Sequence, residues 1–260
     1  MMRGLWTGAT GMSCQQTHIE VIANNLANVT TNGFKKSRIN FQDLMYQNLR
    51  AAGASTASGG QLPAGIQIGM GAKVVAVEKI FLQGDFSHTK NNLDMAIQGK
   101  GFFKLLNNGN EVYTRSGAFK LDKEGYICDS DGNRLQPEFA IPAKTVAITI
   151  DSGGRLVASG PDGAELGSVQ IQLFDFANPA GLRSIGQNLL IPSEASGDPV
   201  QGNPGTDEFG AILQGYLEMS NVDVVEEMIN MIMAQRAYEI GTKVIQAGDD
   251  MLQMVNNLKR

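Results

Sequence analysis

The sequence is poor in cysteine, histidine and tryptophan, and these shortages exclude several classes of function. Its 260 residues include two cysteines, two histidines and one tryptophan. Cys14 and Cys128 are too few for a disulfide framework and lie in two differently patterned regions, so neither redox chemistry nor a metal site is indicated. His18 and His88 have no neighbouring serine or cysteine in a nucleophile motif such as Gly-x-Ser-x-Gly, which favours surface histidines over catalytic ones.

Positive charge and long apolar runs are also scarce. The formal net charge of −5 argues against a general nucleic-acid binder. The short basic cluster of Lys35, Lys36 and Arg38 is interpreted as a solvated face. Because the sequence lacks a run of about 18 apolar residues, we expect no membrane insertion. The segment after Arg3 also lacks the apolar core of a cleaved signal peptide, so the residues alone predict a cytoplasmic protein.

Motifs that would hold a metal or a cofactor are incomplete. Residues 129–133, Asp-Ser-Asp-Gly-Asn, resemble the start of a calcium loop, but the twelfth position is Ala140 instead of glutamate, which favours a hairpin turn. Residues 69–74 lack the third glycine of a dinucleotide loop, and residues 99–101 lack the spacing of a phosphate loop. The acidic residues are scattered at strand ends and not paired. The sequence therefore predicts no metal, no cofactor and no enzyme activity.

The first 34 residues carry one narrow apolar stripe at helical spacing. A helix with such a thin apolar surface is most stable when a second helix lies along it. We expect this helix to end near Asn28, because β-branched residues and an Asn32-Gly33 turn follow. The stripe, in steps of four and three residues, comprises Leu5, Ala9, Met12, Gln16, Ile19, Ala23 and Leu26.

The C-terminal region carries the longest regular apolar pattern and is the candidate partner. Ser220 is the expected N-cap of a helix over 221–259, which would extend roughly 58 Å at about 1.5 Å per residue. Acidic residues in the opening turns and basic residues at the close suit the helix dipole. The pattern comprises Ile229, Met233, Ala237, Ile240, Val244, Ala247, Met251, Met254 and Leu258.

The middle of the chain has short runs of β-formers separated by Gly, Asn and Asp turns from Lys73 onward. Residues 34–50 fit neither period and are predicted as an extended start followed by a short helix. The sequence therefore predicts an α+β fold in which paired, coiled-coil-like terminal helices flank an inserted all-β domain. The predicted domains are residues 1–45 with 216–260 as a helical assembly domain, 46–72 as an extended linker, and 73–215 as a β-rich outer domain.

Several segments resemble a known family. Residues 22–34, IANNLANVTTNGF, are similar to the N-terminal signature of flagellar axial proteins, the rod and hook subunits. Residues 220–229, SNVDVVEEMI, continuing through 235–238, QRAY, are similar to the C-terminal signature. The chain length and the linker ends at 46–50 and 62–69 resemble a distal-rod subunit more than a hook subunit. Further blocks that match the family's β domain are residues 81–84, 93–99, 101–103 and 113–117.

The resemblance implies a structural subunit that polymerises into a hollow helical tube, transmits motor torque to the hook and passes exported subunits. It also implies self-association and contacts with other rod proteins, hook subunits, the L- and P-ring proteins, a rod cap and the flagellar export apparatus. Export would proceed through the type III apparatus without a cleaved signal, which places the protein in the periplasm-spanning basal body. No nucleic acid is expected as a partner.

This hypothesis assigns roles to three sets of residues. The N-terminal assembly interface comprises Leu5, Met12, Ile19, Ala23, Asn24, Asn25, Leu26 and Asn28. The C-terminal assembly interface comprises Ile229, Met233, Ala237, Ile240, Val244, Met251 and Leu258. The linker residues proposed to set stiffness are Tyr46, Leu62, Pro63 and Gly65.

Two alternatives stay open at this point. The chain could be a proximal-rod or hook-type axial subunit. From a different class, it could be a secreted protein that binds or hydrolyses cell-wall glycan, although the single tryptophan, Trp6, lies outside the β region where glycan would stack.

Overall fold

The computed structural model describes residues 2–50, 63–206 and 208–258, with the side chains of Met2 and Leu258 excepted. The chain divides into two compact units. The helix unit contains the described parts of Met1–Leu26, Ser37–Glu78 and Val224–Arg260, and the β unit contains those of Ala27–Lys36 and Lys79–Asp223. Two helices, near the N- and C-termini, thus flank a β-rich region, which confirms the predicted α+β class.

Two long helices belong to the helix unit, α1 at Met2–Ala27 and α2 at Val224–Leu258. The first ends one residue before the predicted Asn28. The predicted N-cap Ser220 is wrong, because the second helix begins four residues later. Its neighbour Asn221 instead accepts a hydrogen bond from Lys36 N at 2.7 Å and donates to Ile80 O at 2.9 Å, which keeps this stretch extended. Glu226 and Glu227 in the first turn of α2 interact favourably with the positive end of the helix dipole.

Two antiparallel ribbons complete the helix unit. Strand β1 (Ser37–Asp43) lies beside β4 (Ala72–Lys79), and β2 (Tyr46–Arg50) pairs with β3 (Ile66–Gly69). The short helix expected before residue 50 is therefore wrong, since β2 occupies its place. The outer segments of the predicted linker are strands, while residues 51–62 lie outside the described part of the chain.

The β unit contains sixteen further strands in its described part. Its largest sheet has seven strands in the order β16-β17-β8-β7-β11-β10-β9, and a second has the order β12-β13-β14. Three pairs, β15-β18, β19-β6 and β20-β5, complete it. The strands are β5 (Phe86–His88), β6 (Met95–Gln98), β7 (Phe103–Asn107), β8 (Asn110–Thr114), β9 (Lys120–Leu121), β10 (Ile127–Cys128), β11 (Arg134–Leu135), β12 (Ala147–Ile150), β13 (Arg155–Ser159), β14 (Glu165–Gln170), β15 (Leu173–Asp175), β16 (Arg183–Gly186), β17 (Leu189–Ile191), β18 (Val200–Gly202), β19 (Ala211–Gln214) and β20 (Tyr216–Glu218).

The predicted turn chemistry explains the hairpin between β7 and β8. Asn107 pairs with Asn110, which leaves Asn108 and Gly109 as a two-residue loop. Their φ angles of 48° and 84° lie in the left-handed region that such a turn requires at both central positions. Asparagine and glycine tolerate that region, so the sequence fixes the turn locally.

One large apolar core lies in the β unit. Fifteen buried residues form it, and members such as Phe103, Leu105, Leu156 and Leu173 have no exposed surface. Phe119 packs edge-on against Phe103 with ring centroids 5.3 Å apart. The boundaries between the helix unit and the β unit fall after residues 26, 36, 78 and 223. The domain boundaries predicted at 45, 72 and 215 differ from these and stay a prediction.

Candidate functional site

The predicted apolar pattern on α2 is mostly exposed. Five of its members, which we call the outward stripe, are between 47% and 63% exposed: Ile229, Met233, Ile240, Val244 and Met251. Ala237 is half-buried, and the Leu258 side chain lies outside the described residues. A row of large apolar side chains left in solvent along three or more helical turns is typical of an interaction surface.

A different face of α2 is turned inward. It repeats every seven residues at Glu227, Ala234, Gly241 and Gly248, and it is buried or half-buried. A Cβ built on Gly241 would lie 2.6 Å from Met12 Cγ, and one built on Gly248 would lie 2.6 Å from Leu5 Cδ2. These residues on α2 therefore allow α1 to approach closely.

The members of the stripe predicted on α1 differ in exposure. Leu5, Met12, Ile19 and Leu26 are half-buried, whereas Ala9, Gln16 and Ala23 are exposed. The inward face instead uses Gly8, Gln15 and Ile22 at the intervening positions, and Ile22 is almost fully buried. A Cβ on Gly8 would lie 3.3 Å from Ile245 Cγ1, so the missing side chain there brings this face against α2. Glycine carries no apolar signal, which is why the pattern missed it.

The asparagines predicted on α1 have different environments. Asn24 is exposed and Asn28 half-buried, and each has interaction partners. Asn25 is buried, and its amide both donates to Ser37 O and accepts from Ser37 N, each at 2.9 Å. It also donates to the buried Glu227 carboxylate at 3.2 Å. Asn25 is therefore an intrachain link between α1, β1 and α2 and not an exposed contact residue.

His18 lies beside this polar link. Its ring meets Phe41 edge-on with centroids 5.7 Å apart. Burial lowers the pKa of His18, and the negative charge of Glu227 partly opposes that shift. The lowered pKa favours the neutral imidazole, which suits a packed side chain.

The described linker residues lie on or beside the β2–β3 ribbon. Tyr46 pairs with Gly69 across the ribbon and is 55% exposed. Pro63 is exposed and Gly65 half-buried, while Leu62 lies outside the described residues. The ribbon also exposes Met45, Leu49, Ile66 and Ile68, which makes it a second apolar surface of the helix unit.

The β unit holds a buried charge cluster that the sequence did not predict. Glu218, on β20, is 1% exposed, and its two carboxylate oxygens accept from Lys35 Nζ and Arg115 Nε, each at 2.6 Å. Gly33 lies two residues before Lys35 and has a φ angle of 71°. The Gly33 N–H donates a hydrogen bond to Glu218 O at 2.8 Å. A Cβ there would lie 2.7 Å from Ser116 N, so the predicted Asn32-Gly33 turn needs glycine to bring Lys35 inward.

The remaining donors of the charge cluster are used by backbone carbonyls. Lys35 Nζ donates to Leu82 O at 2.7 Å, and the Arg115 guanidinium donates to the carbonyls of Ile97, Gly99 and Gly101. Burial lowers the pKa of Lys35 despite the neighbouring Glu218 carboxylate, and the Arg115 charge adds to the lowering. With its polar atoms bonded inside the fold, the cluster is a structural tie and offers no free group for catalysis.

The described residues contain no group of three or more His, Cys, Asp or Glu placed to hold a metal ion. Within the same residues, neither helix is long and apolar enough to cross a membrane. Cys14 and Cys128 are buried and free, and burial raises the pKa of both thiols, which disfavours the reactive thiolate.

Comparison with protein families gives three matches along the chain. Residues 5–35 match the model described as "Flagella basal body rod protein". Residues 96–158 match "Flagellar hook protein FlgE/F/G D1 domain", and residues 213–258 match "Flagellar basal body rod FlgEFG protein C-terminal". Together with the two flanking helices, these matches define a structural subunit of the flagellar axial assembly.

Relatives that match over their whole length identify the family within this class of axial subunits. The "Flagellar basal-body rod protein FlgG" of Borreliella burgdorferi is 45% identical over 266 residues, covering 100% of both chains. The protein of the same name from Caulobacter vibrioides is 45% identical over 262 residues, covering 99% of this chain and 100% of the relative. The chain belongs to the FlgG family of flagellar basal-body rod proteins. The relatives are named as rod proteins and not as enzymes, and they favour none of the alternative functions.

A solved structure is also similar. The hook protein FlgE2 of Helicobacter pylori is 17% identical, with a TM-score of 0.25 over 71% of this chain and 43% of the other. That similarity is too low to carry an argument.

Proposed function

We propose that this rod subunit polymerises into a hollow helical tube through the outward stripe of α2, with α1 and α2 paired in a coiled-coil-like manner. The observation that carries the proposal is the exposure of Ile229, Met233, Ile240, Val244 and Met251 on one helix. Fully burying such a side chain contributes about 1.5–3 kcal/mol, so covering the exposed half of each contributes on the order of 1 kcal/mol. Assembly would thus stabilise helices that have little to pack against in one chain.

The wider role follows from this assembly and from the family. A tube of this kind transmits motor torque to the hook and passes exported subunits through its lumen. Its partners would be other rod proteins, hook subunits, the L- and P-ring proteins, a rod cap and the flagellar export apparatus. The protein would be exported without a cleaved signal and would span the periplasm as part of the distal rod.

The experiment that tests the proposal introduces charge into the outward stripe. Met233→Asp with Ile240→Asp places two carboxylates on the surface that neighbouring copies would bury, and we expect loss of tubes by electron microscopy and sedimentation of concentrated protein. The matched control is Gln235→Asp with Gln246→Asp, two exposed polar positions of α2 where the substitutions add the same charge. Helix content of the dilute protein, measured by circular dichroism, should be similar in both variants. Tubes formed equally well by both would contradict the proposal.

We also propose that the linker at 46–72 sets the stiffness of the tube. Tyr46 and Gly69 are paired in the β2–β3 ribbon, which joins the ends of this segment, and Leu62, Pro63 and Gly65 lie within it. A two-stranded ribbon with exposed apolar residues can pack between neighbours and resist bending.

Deleting Ala51–Gly60 tests this role without removing the paired strands. We expect more strongly bent tubes, measured as a shorter persistence length in electron micrographs. Substituting Ala54 and Ala57 by serine within the same segment serves as the control. An unchanged persistence length in the deletion variant would show that stiffness has another origin.

A further inference from the structure

The inward face of α2 contains two gaps that α1 fills. Gly241 and Gly248 are the glycines of α2, seven residues apart. Met12 and Leu5 of α1, also seven residues apart, occupy the space where the two Cβ atoms would be, each at 2.6 Å from the hypothetical carbon. Carbon atoms in good contact are about 3.5–4.0 Å apart, so a side chain at either glycine would require movement of α1.

The contacts also define the direction of the pair. Leu5 meets Gly248 and Met12 meets Gly241, so residue numbers rise on one helix as they fall on the other. Continuing both series by seven residues reaches Ile19 and Ala234. Ala234 is 2% exposed, so a small residue again stands on the α2 face where a large one stands on α1.

Only one register matches both large residues with both glycines. A slip of seven residues in one direction places Leu5 opposite Gly241 but Met12 opposite Ala234. A slip in the other direction places Met12 opposite Gly248 but Leu5 opposite Val255. Each slip moves one helix by about 10 Å, at about 1.5 Å per residue, and leaves either Leu5 or Met12 opposite a residue other than glycine.

The outward stripe cannot make this choice. Its residues recur in steps of four and seven positions, so a helix that slips by seven residues would present nearly the same apolar surface. Proteins fix register where a regular pattern leaves it open by adding an irregular feature, such as a special residue at one core position.

We propose that Leu5 and Met12, seated on Gly248 and Gly241, fix the register of the α1–α2 pair within each chain. This inference deepens the proposed function, since copies can stack regularly only if every copy presents its outward stripe at the same height relative to α1. The four residues are positioning residues, because they act by setting the place of the outward stripe relative to α1.

Cysteine cross-linking measures the register directly. In a full-length chain with Cys14→Ala and Cys128→Ala, the pair Gly8→Cys with Ile245→Cys reports the native register, because a Cβ on Gly8 lies 3.3 Å from Ile245 Cγ1. The pairs Gly8→Cys with Leu252→Cys and Gly8→Cys with Tyr238→Cys report slips of seven residues. We expect the native pair to cross-link at least about tenfold more than either slipped pair, and disulfide geometry makes the readout selective.

Filling the gaps should change that ratio. Gly241→Ala with Gly248→Ala is expected to lower the native-to-slipped ratio about fivefold or more. Adding Leu5→Ala with Met12→Ala moves the missing volume to the other helix and should restore the ratio. The controls are Gly4→Ala and Gly11→Ala, at positions where a Cβ would meet nothing within 4 Å; both should leave the ratio unchanged. Alanine favours helix at all four glycines, so propensity cannot explain a difference between the sets.

The experiment separates this inference from the proposed function. Intrachain cross-links are scored both in dilute protein and in concentrated samples examined for tubes. Native-register cross-links without tubes would refute polymerisation and leave the register inference standing. Tubes with an unchanged ratio after filling both glycines would overturn the register inference, as would the absence of the native cross-link in both samples.

Discussion

The two units of this chain differ in how they use their apolar residues. The β unit encloses a core whose members include Phe103, Leu105 and Leu156 without exposed surface. Among the described residues of the helix unit, the buried apolar side chains are those of Cys14, Ile22, Ile39 and Ala234. Most of the large apolar residues of α2 face solvent instead.

This difference indicates which unit of a rod subunit has its stabilising contacts within one chain. The β unit has both a core and a buried charge cluster that uses its own donors and acceptors, so its folding free energy is contained within the chain. The helix unit has long helices with one close contact face and one outward stripe. Because isolated helices gain most of their stability from packing, we expect this unit to be stabilised by the assembly proposed above.

The largest expected effect comes from breaking the charge cluster of the β unit. Glu218→Ala leaves Lys35 and Arg115 buried without a carboxylate, and we expect the free energy of unfolding to fall by about 3–5 kcal/mol. Chemical denaturation followed by far-ultraviolet circular dichroism in the β region measures it. Glu165→Ala is the control, because Glu165 binds Arg155 at 2.9 Å on the surface and should matter by less than about 1 kcal/mol. Equal destabilisation by the two substitutions would show that the buried carboxylate has no special role.

A second comparison sets a core residue against a residue of the outward stripe. Leu156→Ala creates a cavity in the β unit and should destabilise the dilute protein by about 2–5 kcal/mol. Ile240→Ala removes a side chain that is 63% exposed and should change the stability of the dilute protein by less than about 0.5 kcal/mol. Thermal unfolding of both variants at low concentration provides the measurement. A large loss for Ile240→Ala would mean that the helix unit buries this residue in the single chain.

Local chemistry made several features predictable. The end of α1 near Asn28, the Asn108-Gly109 hairpin and strands such as Met95–Gln98 follow from turn residues and β-formers that act over a few positions. The α+β class followed from the contrast between the two ends and the middle. The sequence did not predict the β2–β3 ribbon, because a glycine-rich segment typical of a linker separates the two strands. Every residue of β2 is also exposed, so the strand shows no alternation of buried and exposed positions.

Periodicity predicted the helix that carries the candidate site but not the orientation of its faces. The spacing of the apolar residues of α2 indicates a helix, and it does not say whether those residues pack within the chain. The inward face was missed because Gly241 and Gly248 have no apolar side chain to count, although together they allow the closest approach of α1. Asn25 lies in a family signature that predicts an interface residue, whereas its hydrogen bonds to Ser37 and Glu227 are visible only in the fold.

The sequence by itself determined both long helices and the β-rich middle of this protein, because helical periodicity, β-forming residues and turn residues act between neighbours along the chain. It also determined the family, through signatures at both ends. The tertiary structure alone decided which face of α2 meets α1, since the helix has one small-residue face and one large apolar face, and either could pack. It alone brought Lys35 to Glu218, 183 residues away, and Arg115 to Glu218, 103 residues away. Buried charges need partners in space, and no local pattern encodes a pairing across such distances.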